Sequence, residues 1–235
     1  MNQLSNAFSL LNLDVADSQA EITNGDTDRV TGEAQKEVDE RVQKLESASG
    51  ECKLPLVWID LEMTGLDIEV DKMLEIACVV TNGNLTKSIE GPDLVIHQAK
   101  LCLDNMGTWC QEHHAASGLT EKVLKSTVTE EEAEKLVTEF VKRNIGTYTP
   151  LLAGNSVYVD FQFLKKYMPN LASLFSHVLV DVSSVKALCL RWYPRDGKKA
   201  PNKENKHRAM DDIKESIAEL KYYKGHIFKA SKSNK

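Results

Sequence analysis

The segment Trp58–Gly65, WIDLEMTG, sets two carboxylates, Asp60 and Glu62, one residue apart inside an otherwise apolar run. Side chains alternate along a strand, so Asp60 and Glu62 share one face while Val57, Ile59 and Leu61 take the other. Neighbouring carboxylates repel, and a cation between them removes that cost. A solvated strand face carries the same local pattern, so the reading depends on acids elsewhere. Asp160 in GNSVYVDFQFL lies at a strand-to-helix junction, and Asp212 in HRAMDDIKESIAEL lies near the head of a helix. In an α/β sheet such junctions crowd one edge, which lets four carboxylates converge. Oxygen donors suit Mg²⁺ or Mn²⁺ rather than zinc, and two such ions roughly 4 Å apart clamp a phosphodiester, one activating water and the other stabilising the leaving oxygen. His207, five residues before Asp212, is subject to two opposed influences. A helix N-terminus favours its neutral form and carboxylates its charged form, so a pKa near neutrality is expected, as suits a general base for water. Asp211 is adjacent to Asp212, and spacing alone does not choose between them.

These residues need elements to hold them. LPLVWIDLE, MLEIACVVT (Met73–Thr81) and LVIHQ (Leu94–Gln98) read as three strands joined by short links, the second pair through the turn signal Asn82-Gly83, which predicts an antiparallel meander. Thr129 and Glu132 form a capping box for a helix with an apolar stripe through Ala133, Leu136, Val137, Phe140 and Val141. Strand and helix then alternate: LLAG, a helix over 159–167, the strand VLVDV, a helix capped by Ser183 with Val185, Leu188, Cys189 and Trp192 inward, and a last helix over 209–223. This order predicts an α/β fold, a mixed five-stranded sheet with helices on both faces.

The chain of 235 residues, 42% hydrophobic, is long enough for one good core. Its net charge of −6 comes from residues 1–50, where ten Asp and Glu face four Lys and Arg, so the remainder is neutral and its acidity does not argue against nucleic acid. The expected organisation is an acidic, disordered extension over 1–52, a catalytic domain over 53–229 and a polar basic tail over 230–235. A basic run, Arg195 to Arg208, reads as a solvated loop. The five cysteines form no CxxC pair, as in reduced intracellular proteins, and Cys102, Cys110, His113 and His114 match no common zinc spacing. No apolar stretch approaches the roughly 20 residues that span a bilayer, so no membrane partner is expected. The N-terminal segment carries neither a signal-peptide core nor an Arg-rich transit pattern, which makes the cytoplasm the expected compartment and the mitochondrion the alternative.

The DLE at Asp60–Glu62, the Asp160 segment and HRAMDD ending at Asp212 resemble the three motifs of the DEDDh class of 3′-to-5′ exonucleases, and WIDLEMTGLD, MLEIACVVT, HHAASGL, GNSVYVDFQFL, YMPNL, DVSSVKAL and HRAMDDIKESIAEL narrow the resemblance to the oligoribonuclease family, from Leu54 to Phe228. The resemblance implies a ribonuclease H-like fold, hydrolysis of short single-stranded RNAs to nucleoside 5′-monophosphates, two divalent cations (Mg²⁺ or Mn²⁺) and a homodimer. It selects Asp212 over Asp211, gives Asp60, Glu62, Asp160 and Asp212 to the metals and makes His207 the base. It also implies a substrate pocket with Leu66 wedged against the bases, Trp109 and His114 lining it, and Ser156 and Ser183 receiving the 5′ phosphate.

One departure stands out: where family members carry a Tyr-Arg pair before the DVS string, this chain has His177 and Val178. Valine cannot fork onto a phosphate as arginine does, so either another basic residue substitutes or selectivity for the shortest substrates is weaker. Two rival readings share the motifs: a DEDDh DNA exonuclease, against which the extended strings argue, and a silent nucleic-acid-binding protein on the same fold, against which the five intact positions argue.

Overall fold

The structure is a computed structural model that describes residues 52–201 and 208–228. His207, the extension over 1–52 apart from Cys52, the 230–235 tail and the centre of the Arg195–Arg208 run lie outside the described residues.

Five strands, β1 (Leu56–Met63), β2 (Met73–Thr81), β3 (Ser88–Val95), β4 (Leu151–Gly154) and β5 (Leu179–Asp181), form one sheet in the order β3-β2-β1-β4-β5. The first three strands pair antiparallel, as the short links predict, while β4 joins β1 and β5 joins β4 in parallel. Alternation along β1 sorts its side chains into two cores. Val57, Ile59 and Leu61 enter the core under α4 (Glu130–Ile145) and α5 (Tyr158–Tyr167); Leu56 and Trp58 enter the opposite core under α7 (Val182–Trp192) and α9 (Ala209–His226). The expected mixed sheet with helices on both faces is therefore the observed one. Each fully buried aliphatic or aromatic side chain in these cores contributes about 1.5–3 kcal/mol.

Three expectations change. The third strand runs over 88–95, not 94–98, and contains Gly91 and Pro92. These punctuators are tolerated because β3 is an edge strand and because its register on β2 shifts between Ala77 and Val79, opposite Glu90 to Asp93. Between β3 and α4 lie three helices that periodicity does not reveal, α1 (Lys100–Asp104), α2 (Thr108–Ala116) and α3 (Leu119–Lys125). They are short and bury few residues, Leu103, Leu119 and Val123 among them, so no sustained stripe marks them.

The third change is in α7, which is capped by Asp181 rather than Ser183: the Asp181 side chain accepts the Ser183 N–H at 2.8 Å, and the helix starts at Val182. That start turns Val182, Val185 and Cys189 towards the sheet, leaving Leu188 and Trp192 exposed rather than inward. Two short helices, α6 (Pro169–Ala172) and α8 (Pro194–Gly197), complete the described chain. No described helix is long and apolar enough to cross a membrane.

Candidate active site

On the face of β1 that carries Leu56 and Trp58, the side chains change from apolar to acidic towards the end of the strand. Asp60 and Glu62 project there, and α9 delivers Asp212 from its first turn. One carboxylate oxygen from each of Asp60, Glu62 and Asp212 lies within 4.8 Å of the others, each residue half-buried. Asp160 arrives from behind. Gly154 lets the turn after β4 approach β1 closely, because a Cβ there would stand 3.1 Å from Ile59 O, and α5 then begins at Tyr158. Asp160, 5% exposed, accepts the Leu61 N–H on Oδ1 at 3.0 Å. It is thus fixed to the same strand but lies outside the three-carboxylate group.

The electrostatics of this arrangement favour a cation. Burial, then the neighbouring charges of Asp212, Glu75 and Asp160, push Glu62 up to about 8. Burial likewise raises Asp160 to about 7 against the opposing effect of the Leu61 N–H. Carboxyl groups that resist ionisation at neutral pH when alone are a fitting donor set for a hard divalent cation, which supplies the missing positive charge.

Sequence reasoning missed the group that holds this assembly together. Glu75, fully buried on β2, sits directly across from Glu62 in the strand register. Its carboxylate accepts the Arg208 Nε–H at 3.0 and 3.1 Å, a second bond from Nη2, and the Ala209 N–H at 3.2 Å. A β2 side chain therefore caps α9, whose own N-cap residue supplies no side-chain bond. The signal was present: Glu75 is a lone acid in an otherwise apolar strand, a position that demands a buried partner.

Of the residues expected to form the substrate pocket, Leu66 and Trp109 are 74% and 59% exposed, with the Trp109 ring stacked on His113 at 3.9 Å. His114 is 2% exposed and lies beneath the end of β1, with Nε2 2.9 Å from Met63 O and Nδ1 3.9 Å from Glu62 Oε2. Because a carbonyl only accepts, Nε2 carries the proton, and the ring backs a ligand candidate instead of openly lining a pocket. Ser156 and Ser183 do meet: their hydroxyls lie 3.2 Å apart, Ser156 having a left-handed backbone (φ 49°). The Ser156 N–H donates to Asp181 Oδ1 at 3.0 Å and to Ser183 Oγ at 3.1 Å, and the Ser183 N–H donates to Asp181 Oδ1, so both amides are engaged within the protein.

Two outcomes follow from the charge balance. Glu75→Gln leaves Arg208 without its charge partner and should cost about 3 kcal/mol, read from urea unfolding, while weakening divalent-cation binding measured by calorimetry. In the metal-free protein Glu62 holds its proton up to about 8, whereas the unfolded chain releases it near 4.5. Stability should therefore fall as pH rises between those values. Thermal melts in chelator at pH 5 and pH 8 should show the fall, Glu62→Gln should reduce it to the part that Asp160 contributes, and Mg²⁺ or Mn²⁺ should raise the melting temperature more at pH 8. A metal-free midpoint that rises over this range would contradict the assignment.

Comparison with known proteins agrees with this geometry. Residues 57–220 match the model of the Exonuclease family. The chain is 62% identical to oligoribonuclease of Arabidopsis thaliana over 98% of its own length and 99% of that protein's, and 49% identical to mitochondrial oligoribonuclease of Homo sapiens over 74% and 73%. Oligoribonuclease of Marinobacter nauticus is 45% identical over 74% of this chain and 96% of its own. Among solved structures, Exonuclease I shares the fold with a TM-score of 0.58 at 15% identity, over 74% of this chain but only 41% of Exonuclease I. From its β1 carboxylates to the helix that carries Asp212, the chain belongs to the oligoribonuclease family of exonucleases.

Proposed function

We propose that Asp60, Glu62, Asp160 and Asp212 hold two divalent cations, Mg²⁺ or Mn²⁺, within an exonuclease domain spanning 53–229, and that His207 is the general base of the reaction. The family is one of 3′-to-5′ exoribonucleases, and the substrate is a short single-stranded RNA, down to a dinucleotide, released as nucleoside 5′-monophosphates. The observation that carries this reading is the meeting of Asp60, Glu62 and Asp212 within 4.8 Å at the end of β1. Bound there, the cations supply an activated water and charge stabilisation for the departing 3′ oxygen. The protein does the rest: Glu75 and Arg208 seat the helix that carries Asp212, Asp160 is oriented by the Leu61 N–H, and His207 takes the proton from water. Leu66 and Trp109 offer apolar faces on which any base stacks, which accounts for a substrate defined by length more than by sequence. In this reading the hydroxyls of Ser156 and Ser183 receive the 5′ phosphate, the Ser156 hydroxyl exchanging its bond to Ser183 Oγ for one to the phosphate.

Val178 stands where a cap on that phosphate would need a cation, so length selectivity rests on the two hydroxyls and is weaker than an arginine would give. A homodimer is the assembly this reading favours, supported by Leu188 and Trp192, exposed on the outer face of α7, and by half-exposed Val178. The cytoplasm is the favoured compartment and the mitochondrion the alternative, since the human and mouse relatives are named mitochondrial.

The direct assay is a labelled dinucleotide RNA with Mg²⁺ or Mn²⁺. Wild-type protein should release mononucleotide, Asp160→Ala should lose at least about 10²-fold in rate, and a matched DNA should be a poorer substrate. Release of mononucleotide from neither polymer would favour a binding protein, and a preference for DNA would favour the DNA exonuclease reading. A dinucleotide cleaved far faster than a ten-mer, with the preference abolished by a 5′ hydroxyl, would overturn the weak-cap reading. Sedimentation should give a dimer at micromolar concentration that Trp192→Asp converts to monomer; monomer alone for the wild type would remove the assembly.

A further inference from the structure

The loop that presents Leu66 is closed by a single carboxylate. Residues 64–72 leave β1 and return to β2 with their ends joined: the Thr64 N–H donates to Lys72 O at 2.9 Å, and the Lys72 N–H donates to Thr64 Oγ1 at 3.0 Å. Asp71 fills the interior. Its Oδ1 accepts the Thr64 hydroxyl at 2.7 Å and its Oδ2 accepts the Asp67 N–H at 2.8 Å, while its own N–H donates to Asp67 O at 2.8 Å. Gly65 makes room for it, since a Cβ there would overlap the Asp71 carboxylate. From outside the loop, the hydroxyl of Tyr167, the last residue of α5, donates to Asp71 O at 2.8 Å. The loop is thereby tied to the helix that carries Asp160.

This construction holds a leucine out in water. An exposed apolar side chain on a mobile loop would have to be ordered each time a base stacked on it, and that entropy would be subtracted from affinity. We propose that Asp71 is a positioning residue for substrate specificity: by clasping the 64–72 loop it presents Leu66 in its binding geometry, and so sets the affinity for short RNA instead of the rate of bond cleavage. The proposal rests on the reading of Leu66 as the residue against which the bases stack.

A double-mutant cycle on the dinucleotide substrate tests it. Asp71→Ala and Leu66→Ala should each raise KM about tenfold with kcat changed less than about threefold, and the double variant should match Leu66→Ala alone, because Asp71 acts only through that side chain. If Asp71→Ala does not fold, Asp71→Asn, which removes one bond of the clasp, and Thr64→Val, which removes the bond to Asp71 and the one from the Lys72 N–H, should each raise KM by a smaller factor. Multiplying effects in the double variant, or an unchanged KM in a folded clasp variant that only melts earlier, would overturn the role of Asp71. An unchanged KM in Leu66→Ala would instead overturn the stacking role of Leu66 itself, and the clasp's purpose with it.

Discussion

The active-site end of this protein depends on one buried ion pair, Glu75 with Arg208. Gathering Asp60, Glu62 and Asp212 within 4.8 Å is electrostatically uphill, and Glu75 lies directly across the strand pair from Glu62, which by itself would worsen it. Arg208 offsets part of that contribution. Its guanidinium bonds both oxygens of Glu75 and eases the upward pressure on the Glu62 carboxyl. The same carboxylate accepts the Ala209 N–H, so the pair also fixes where α9 begins, three residues before Asp212. Removing either partner would leave an uncompensated buried charge, so the geometry of Asp212 and the local fold stand or fall together.

β1 solves a second problem, how to be core and active site at once. Its pleat commits Val57, Ile59 and Leu61 to one core throughout. On the other face the role changes along the strand, from the buried Leu56 and Trp58 to the half-buried Asp60 and Glu62 at the first turn of α9. The Leu61 N–H serves Asp160, so the strand orients that carboxylate with its backbone and the others with its side chains. Such dual use leaves little freedom to shift register, because a slip of one residue would bury Asp60 and Glu62 and expose Leu61.

Much of this was legible in the residue pattern because it rests on local rules. Alternation placed Asp60 and Glu62 on one face, the helical stripe through Ala133, Val137 and Val141 marked α4, and the strand-helix order predicted the mixed sheet. The Thr129 cap holds, with its side chain accepting the Glu132 N–H. What escaped depends on partners distant in sequence. Glu75 meets Arg208 across 133 positions. The strand through Gly91 and Pro92 is permitted by an edge location that no local window contains. Ser183 was a sound cap candidate by type, but Asp181 stands two residues earlier with the stronger acceptor. The resemblance implies His114 as a wall of the pocket, whereas the tertiary packing of α2 turns it under β1 towards Glu62.

The spacing between chemistry and recognition is built from the same short stretch of chain. Leu66 follows Glu62 by four residues, and the register between β1 and β2 slips between Glu62 and Met63, where the ladder gives way to the loop. The extra residue there is Leu74 on β2, where the ladder loosens directly after the last ligand candidate of β1. With the loop clasped by Asp71 and its far side bonded to Tyr167, little compliance remains between the carboxylate cluster and the exposed leucine. A scissile phosphate at the carboxylates and a base against Leu66 would then be held at a separation set by covalent backbone. Under the proposed function, recognition tied that closely to the carboxylates would read only the 3′ end of an RNA, and an upper limit on substrate length would come from the Ser156 and Ser183 end.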